Sequence, residues 1–220
     1  MTPSFPDAGP PVGFDLDMTL VDSSAAMTVA LNAVARRLGV DIDVESCVRS
    51  IGAPLRDQLA RWIPPERMEE AMTVLAEAFV NEGVLKVRPL PGAKAVLSRI
   101  RGDGRRVLVV TTRRERVARL CLRRAGLTVD GVSGGLDPAG KADVLRGSGA
   151  GWYIGDHPLD MAAAVTAGIP GIGVTTGFHS GEELTAAGAT VVLPDLTVAT
   201  AGTATATAAG DSGQNWPWER

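Results

Sequence analysis

Two aspartates lie two residues apart in Phe14-Asp15-Leu16-Asp17-Met18-Thr19-Leu20-Val21-Asp22-Ser23, at the end of a short apolar run. In an extended chain, residues i and i+2 point to the same side, so both carboxylates can face one site. Carboxylates crowded together repel and raise each other's pKa unless a cation neutralises them. The alternative is a helix cap beside a solvated loop acid. A second pair, Asp156 and Asp160, follows another apolar run in Gly155-Asp156-His157-Pro158-Leu159-Asp160. Acids at i and i+4 fall on one side of a helix's first turn or its entry loop. An oxygen-rich cluster of that kind suits Mg²⁺; equally, an N-cap with a first-turn acid suits the helix dipole. Thr111-Thr112 ends a third run, where hydroxyls either bind phosphate oxygens or cap a helix. Lys141 is one of three lysines against 19 arginines. Its compact ammonium binds phosphate as a point charge, or sits on the surface.

The elements that must position these groups are legible as an alternation. Apolar runs bounded by Gly, Pro or Asp read as buried parallel strands at residues 12–16, 107–110, 152–154, 169–174 and 190–193. Helical patterns fill residues 92–101, 115–125, 141–146, 159–167 and 181–187. The order predicts a Rossmann-like, doubly wound parallel α/β sheet with helices on both faces. Ligands bind such sheets at the carboxyl ends of the strands, where all of these groups except Lys141 fall. Residues 23–86 break the rhythm and read as helices only. Ser23 or Ser24 caps one that runs to Leu38, Asp43 caps a second, and Pro64-Pro65 opens a third. The expected organisation is an α/β core at residues 12–22 and 87–200 and a small all-helical cap at residues 23–86, inserted after the first strand. Disordered tails are expected at residues 1–11 and 201–220, from prolines in the first and an Ala/Thr/Gly run in the second.

Composition removes several classes. A chain of 220 residues with 45% hydrophobic content is not wholly disordered. Two cysteines make no disulfide scaffold; Cys47 and Cys121 lack metal-ligand spacing and read as core residues. No apolar run approaches the roughly 20 residues of a membrane span, and the start lacks the features of a secretory signal. Net charge is -3, with no general attraction for nucleic acid or acidic lipid. Ten arginines crowd residues 99–124, but Val117, Leu120 and Cys121 interleave as a core stripe and Glu115 can pair with Arg119. Gly147-Ser148-Gly149-Ala150-Gly151 precedes a strand, so it fails as a dinucleotide loop. A soluble cytoplasmic protein with no nucleic-acid and no membrane partner is expected, as a monomer or homodimer.

In this order the motifs resemble those of the haloacid dehalogenase superfamily, in its phosphoglycolate-phosphatase-like branch with a helical cap. Residues 14–23 resemble the first motif, Thr111 the second, Lys141 the third, and Asp156 with Asp160 the fourth. The resemblance covers residues 12–199 and implies a Mg²⁺-dependent phosphatase acting on a small phosphorylated metabolite, phosphoglycolate-like or a sugar phosphate. It implies Asp15 as the nucleophile that becomes an aspartyl phosphate, and Asp17 as general acid and base. Thr111, Thr112 and Lys141 would bind phosphate. Mg²⁺ would be held by Asp15, the backbone carbonyl of Asp17, Asp156 and Asp160. Dehalogenases of the superfamily lack an acid two residues after the nucleophile, so Asp17 favours phosphate esters. Residues 51–56 resemble the cap loop that reaches the active site; Arg56 and Arg49 either meet a substrate anion or are solvated. His157 either touches substrate or is a loop residue without a role. Met18 stands where the family commonly has glycine, and Gly13 where a larger apolar residue is usual. A phosphomutase of the same superfamily shares this core. A phosphoacceptor signalling domain places its acids in a different order and lacks the insert.

Overall fold

Val12–Phe14 forms the first strand, β1, and all three residues are buried. The computed structural model describes residues 9–198. The strands that follow are β2 (Val21–Asp22), β3 (Arg88–Pro89), β4 (Val107–Val110), β5 (Gly131–Ser133), β6 (Trp152–Gly155), β7 (Gly171–Val174) and β8 (Ala189–Leu193). The α-helices are α1 (Ser24–Leu38), α2 (Val44–Arg49), α3 (Leu55–Leu59), α4 (Met68–Asn81), α5 (Ala93–Gly102), α6 (Glu115–Ala125), α7 (Pro138–Ser148), α8 (Pro158–Ala167) and α9 (Gly181–Ala186).

Six strands pair in the order β5-β4-β1-β6-β7-β8, all in parallel. Parallel sheets flanked by helices bury both faces, which is why their strands read as apolar runs rather than alternations. The fold is therefore the expected parallel α/β sheet. Phe14 stands opposite Val109 on one side and Ile154 on the other. That register brings the ends of β1, β4 and β6 level, and Asp15, Thr111 and Asp156 just beyond them.

β1 is narrow at Gly13 for a packing reason. A Cβ there would come 2.8 Å from Leu145 Cδ2 and 3.1 Å from Tyr153 Cδ2. Tyr153 is fully buried, and its bulk occupies the space that a larger residue at 13 would fill.

β2 and β3 form a separate antiparallel ribbon, with Val21 opposite Pro89 and Asp22 opposite Arg88. Helices α1 to α4 lie between these two strands in the chain. α1 packs on α4 through buried residues at helical spacing: Met27, Ala30, Leu31 and Val34 on α1, Ala71, Leu75 and Phe79 on α4. Asp43 accepts from Ser46 N and caps α2 as its position suggests.

Several local features differ from the sequence reading: β2 and β3 are not among the expected strands, and Pro65–Arg67 forms a 3-10 turn before α4 begins at Met68. α7 begins at Pro138, because Asp137 caps it and proline suits the first helical position. β5 and α3 are additional; at three and five residues, both are too short for periodicity to reveal. Residues 1–8 and 199–220, which include most of both expected tails, lie outside the described residues. Pro11 is buried, and its carbonyl accepts from Gly151 N at 2.8 Å. No described helix is long and apolar enough to cross a membrane.

Candidate active site

β1 ends at Phe14, and the chain turns back at Met18 to Leu20. Leu20 N and Val21 N both donate to Leu16 O at 3.0 Å, and Met18 N donates to Val21 O at 2.7 Å. Met18 takes φ 60°, the only positive φ at a described non-glycine residue. The left-handed region costs a residue with a Cβ about 1–2 kcal/mol, which accounts for glycine's suitability at this position. Asp15 N still donates to Ile154 O at 2.8 Å and Asp17 forms a β-bridge with Val21, yet the two acids take different partners.

Asp15 faces Lys141. That lysine, four residues past the α7 cap, donates from Nζ to Asp15 Oδ1 at 2.8 Å and to Asp160 Oδ1 at 2.7 Å. Asp160 sits in the first turn of α8, where its Oδ2 accepts from His157 N at 3.2 Å. The Tyr153 hydroxyl lies 3.1 Å from Asp160 Oδ1 and 2.7 Å from Val110 O, both acceptors for its single proton. Asp156, directly after β6, accepts from Thr19 Oγ1 at 2.7 Å. One carboxylate oxygen from each of Asp15, Asp156 and Asp160 lies within 4.8 Å of the others.

Burial strengthens every charge in this cluster. Asp15 is 5% exposed, Lys141 4%, Asp156 3% and Asp160 1%. Burial raises Asp15 from 3.8 to about 7, against the pull of Lys141 and with a further push from Asp160. Burial also raises Asp156 well above the usual carboxylate range, with Asp160 and Asp15 adding to it. Lys141 loses from burial but is held protonated by Asp15 and Asp160. Three carboxylates against one ammonium leave negative charge to neutralise. Clustered hard oxygen donors fit a divalent cation such as Mg²⁺.

Asp17 is not part of that cluster. Its Oδ2 accepts from Arg113 Nε at 2.7 Å, while its buried Oδ1 has no hydrogen-bond partner among the described residues. The guanidinium carbon of Arg113 lies 4.2 Å from the centre of the Phe79 ring on α4. Burial opposes the charge of Arg113, but Asp17 outweighs it and the pKa rises. Asp17, Arg113 and Phe79 line one cavity of about 550 Å³.

The other expected site residues are scattered. Thr111 is buried after β4, and its hydroxyl accepts from Arg113 N at 3.2 Å. Thr112 is exposed and lines the cavity. Arg56 also lines it, but pairs with Glu69 at 2.5 Å. Arg49 is exposed, pairs with Glu45 at 2.7 Å and does not line the cavity. His157 caps α8, its Nδ1 accepting from Leu159 N at 3.0 Å, so in the neutral ring Nε2 carries the proton. Burial lowers its pKa to about 4. A Cβ on Gly52 would come 2.8 Å from His157 Cδ2, so the loop of residues 51–54 rests on this ring.

Thr19, Arg113 and Tyr153 join the site although their positions in the sequence do not single them out. Thr19 lies within the first acidic segment and Arg113 directly follows Thr111-Thr112, so proximity to a motif is a usable signal. Tyr153 reads simply as a strand residue.

A family model described as haloacid dehalogenase-like hydrolase matches residues 12–133, and one described as HAD-hydrolase-like matches residues 136–199. A protein named "Probable phosphatase IndB" from Dickeya dadantii is 29% identical, covering 84% of this chain and 89% of its own. A phosphoglycolate phosphatase from Rhodospirillum rubrum is 30% identical, covering 83% of this chain and 86% of its own. The structure of a haloacid dehalogenase-like family hydrolase from Streptococcus pneumoniae superposes with a TM-score of 0.78 at 23% identity. That match covers 89% of this chain and 99% of the other, and is a likeness of fold.

Proposed function

The chain belongs to the haloacid dehalogenase-like hydrolases, and from that membership we propose a Mg²⁺-dependent phosphatase acting on a small phosphate monoester. The observation that carries this reading is the Lys141 bridge from Asp15 to Asp160, with Asp17 turned away onto Arg113. An oxygen of Asp15 attacks phosphorus, the bond from phosphorus to the ester oxygen breaks, and Asp17 gives that oxygen a proton. Asp17 then takes a proton from water as the water oxygen attacks the aspartyl phosphate. The bond to Asp15 breaks and inorganic phosphate leaves. Asp17 Oδ1, with no other partner among the described residues, is the atom suited to this proton transfer.

Lys141 and Thr111 hold phosphoryl oxygens and offset the charge that develops on them. Asp15, Asp156, Asp160 and the backbone carbonyl of Asp17 would hold Mg²⁺, which supplies further charge neutralisation and orientation. Residues 23–86 act as a lid hinged at the β2–β3 ribbon, excluding water during the reaction. The seat of the Gly52 loop on His157 supports that role.

Phosphate release from phosphoglycolate, sugar phosphates and simple esters, with and without Mg²⁺, tests the reading. Release by the native protein is expected to fall about 10³-fold or more in Asp15→Asn. Full activity in that variant would remove Asp15 as nucleophile. Isomerised sugar phosphate without phosphate release would instead favour the mutase of the same superfamily.

A further inference from the structure

The cavity beside Asp17 says what the ester oxygen carries. We infer that the leaving group is predominantly aliphatic, a chain of several carbons, and not a sugar or a two-carbon acid. This rests on the phosphatase reading above. Asp17 lines the cavity, whereas Asp15, Lys141 and Thr111 do not. A phosphoryl group held at Asp15 therefore directs its ester oxygen past Asp17 and the rest of the molecule into the cavity.

The walls are apolar. Ile51, Met72, Leu75 and Phe79 line one side from the helical segment, and Val117 and Leu159 the other from the core. Most polar side chains on the walls are already engaged. Ser50 Oγ donates to Ser46 O at 3.0 Å. Gln58 Nε2 donates to Ser50 O at 2.9 Å and to Ala53 O at 3.3 Å. Arg56 is paired with Glu69, Arg113 with Asp17, and Asp137 caps α7. Beyond Asp17 Oδ1, which serves the ester oxygen, the open groups among the described lining residues are Thr112, Arg114, Gln58 Oε1 and the remaining guanidinium N–H groups of Arg56 and Arg113; Thr112, Arg114 and Arg56 are exposed.

A polyhydroxylated leaving group would lose water at each hydroxyl and find few side-chain partners in return. An aliphatic chain gains from the same burial. The cavity's volume, about 550 Å³, falls in the usual range for small-molecule pockets. A two-carbon acid would leave most of it empty.

The test is phosphate release from ethyl, butyl, hexyl and octyl phosphate, beside phosphoglycolate and glucose 6-phosphate, with Mg²⁺ and the full chain. We expect kcat/KM to rise about 3-fold per methylene until the cavity is filled. Met72→Gln, of similar length but polar, should lower the octyl-to-ethyl ratio by about 10-fold or more. A flat or falling series overturns the inference, as does faster turnover of phosphoglycolate or glucose 6-phosphate than of hexyl phosphate. In both cases the phosphatase reading survives, because phosphate is still released. No release from any ester removes that reading, and this inference with it.

Discussion

Arg113 Nε lies 2.7 Å from Asp17 Oδ2, a contact across 96 positions of sequence. The Arg113 side chain is 13% exposed and that of Asp17 7%, and the guanidinium also stacks on Phe79. One residue thus couples an acid of the core to a ring of the helical segment.

Removing that cation leaves a buried carboxylate unpaired. Arg113→Ala is expected to lose about 3–5 kcal/mol of stability in denaturant unfolding, together with phosphate release. Arg113→Lys keeps the charge but not the planar, stacked fork, and should fall between the two. An alanine variant as stable as the native protein would show that the pair contributes nothing net.

The acidic cluster sets a pH dependence. The Asp15 carboxyl titrates at 3.8 in its ordinary state and at about 7 in the fold, chiefly through burial. Between those values the native state holds a proton that the unfolded chain has lost. Raising pH through that window therefore destabilises the metal-free protein. Mg²⁺ binding needs the ionised carboxylates. At about 100 times its Kd, Mg²⁺ should stabilise by about 2.7 kcal/mol at pH 8, a Tm shift of about 5–10 °C for a chain of this size. The shift should shrink markedly at pH 5. An equal shift at both pH values, measured by thermal unfolding, would contradict this account.

Gly177 is pressed against Asp156, and a Cβ there would collide with Asp156 Oδ2. The neighbouring Thr176 ties the same loop to Met18 O at 2.6 Å. Gly177→Ala is expected to displace the Asp156 carboxylate, at a stability cost of no more than about 1–3 kcal/mol. Weaker Mg²⁺ binding and about 10- to 100-fold less activity should appear together. Unchanged Mg²⁺ affinity in a titration would exclude this arrangement.

Gly13 tests the packing beneath the site. Gly13→Ala should cost about 1–3 kcal/mol through overpacking against Leu145 and Tyr153. Leu145→Ala alone should cost about 2–5 kcal/mol through its cavity. The double variant should be more stable than the sum predicts, because the added methyl fills part of the space vacated. Strict additivity would mean that the two positions do not share that space.

Much of the molecule is legible in the amino-acid sequence alone. Strands ending just before Asp15, Thr111 and Asp156, the cap at Asp43, and the break in rhythm over residues 23–86 all depend on neighbours close in sequence. Periodicity, turn residues and helix caps act over a few positions, so sequence determines them and with them the fold class. The direction of each side chain at the site depends on packing between distant segments. Asp15 and Asp17, two residues apart, go to different partners, Lys141 and Arg113. Lys141 meets Asp15 from 126 positions away, while Arg49, which in sequence either meets a substrate anion or is solvated, settles on Glu45 in solvent. The apolar cavity belongs to no single motif. It exists because α2 to α4 fold back over the carboxyl ends of β1 and β4, and only the tertiary structure decides which residues then face Asp17.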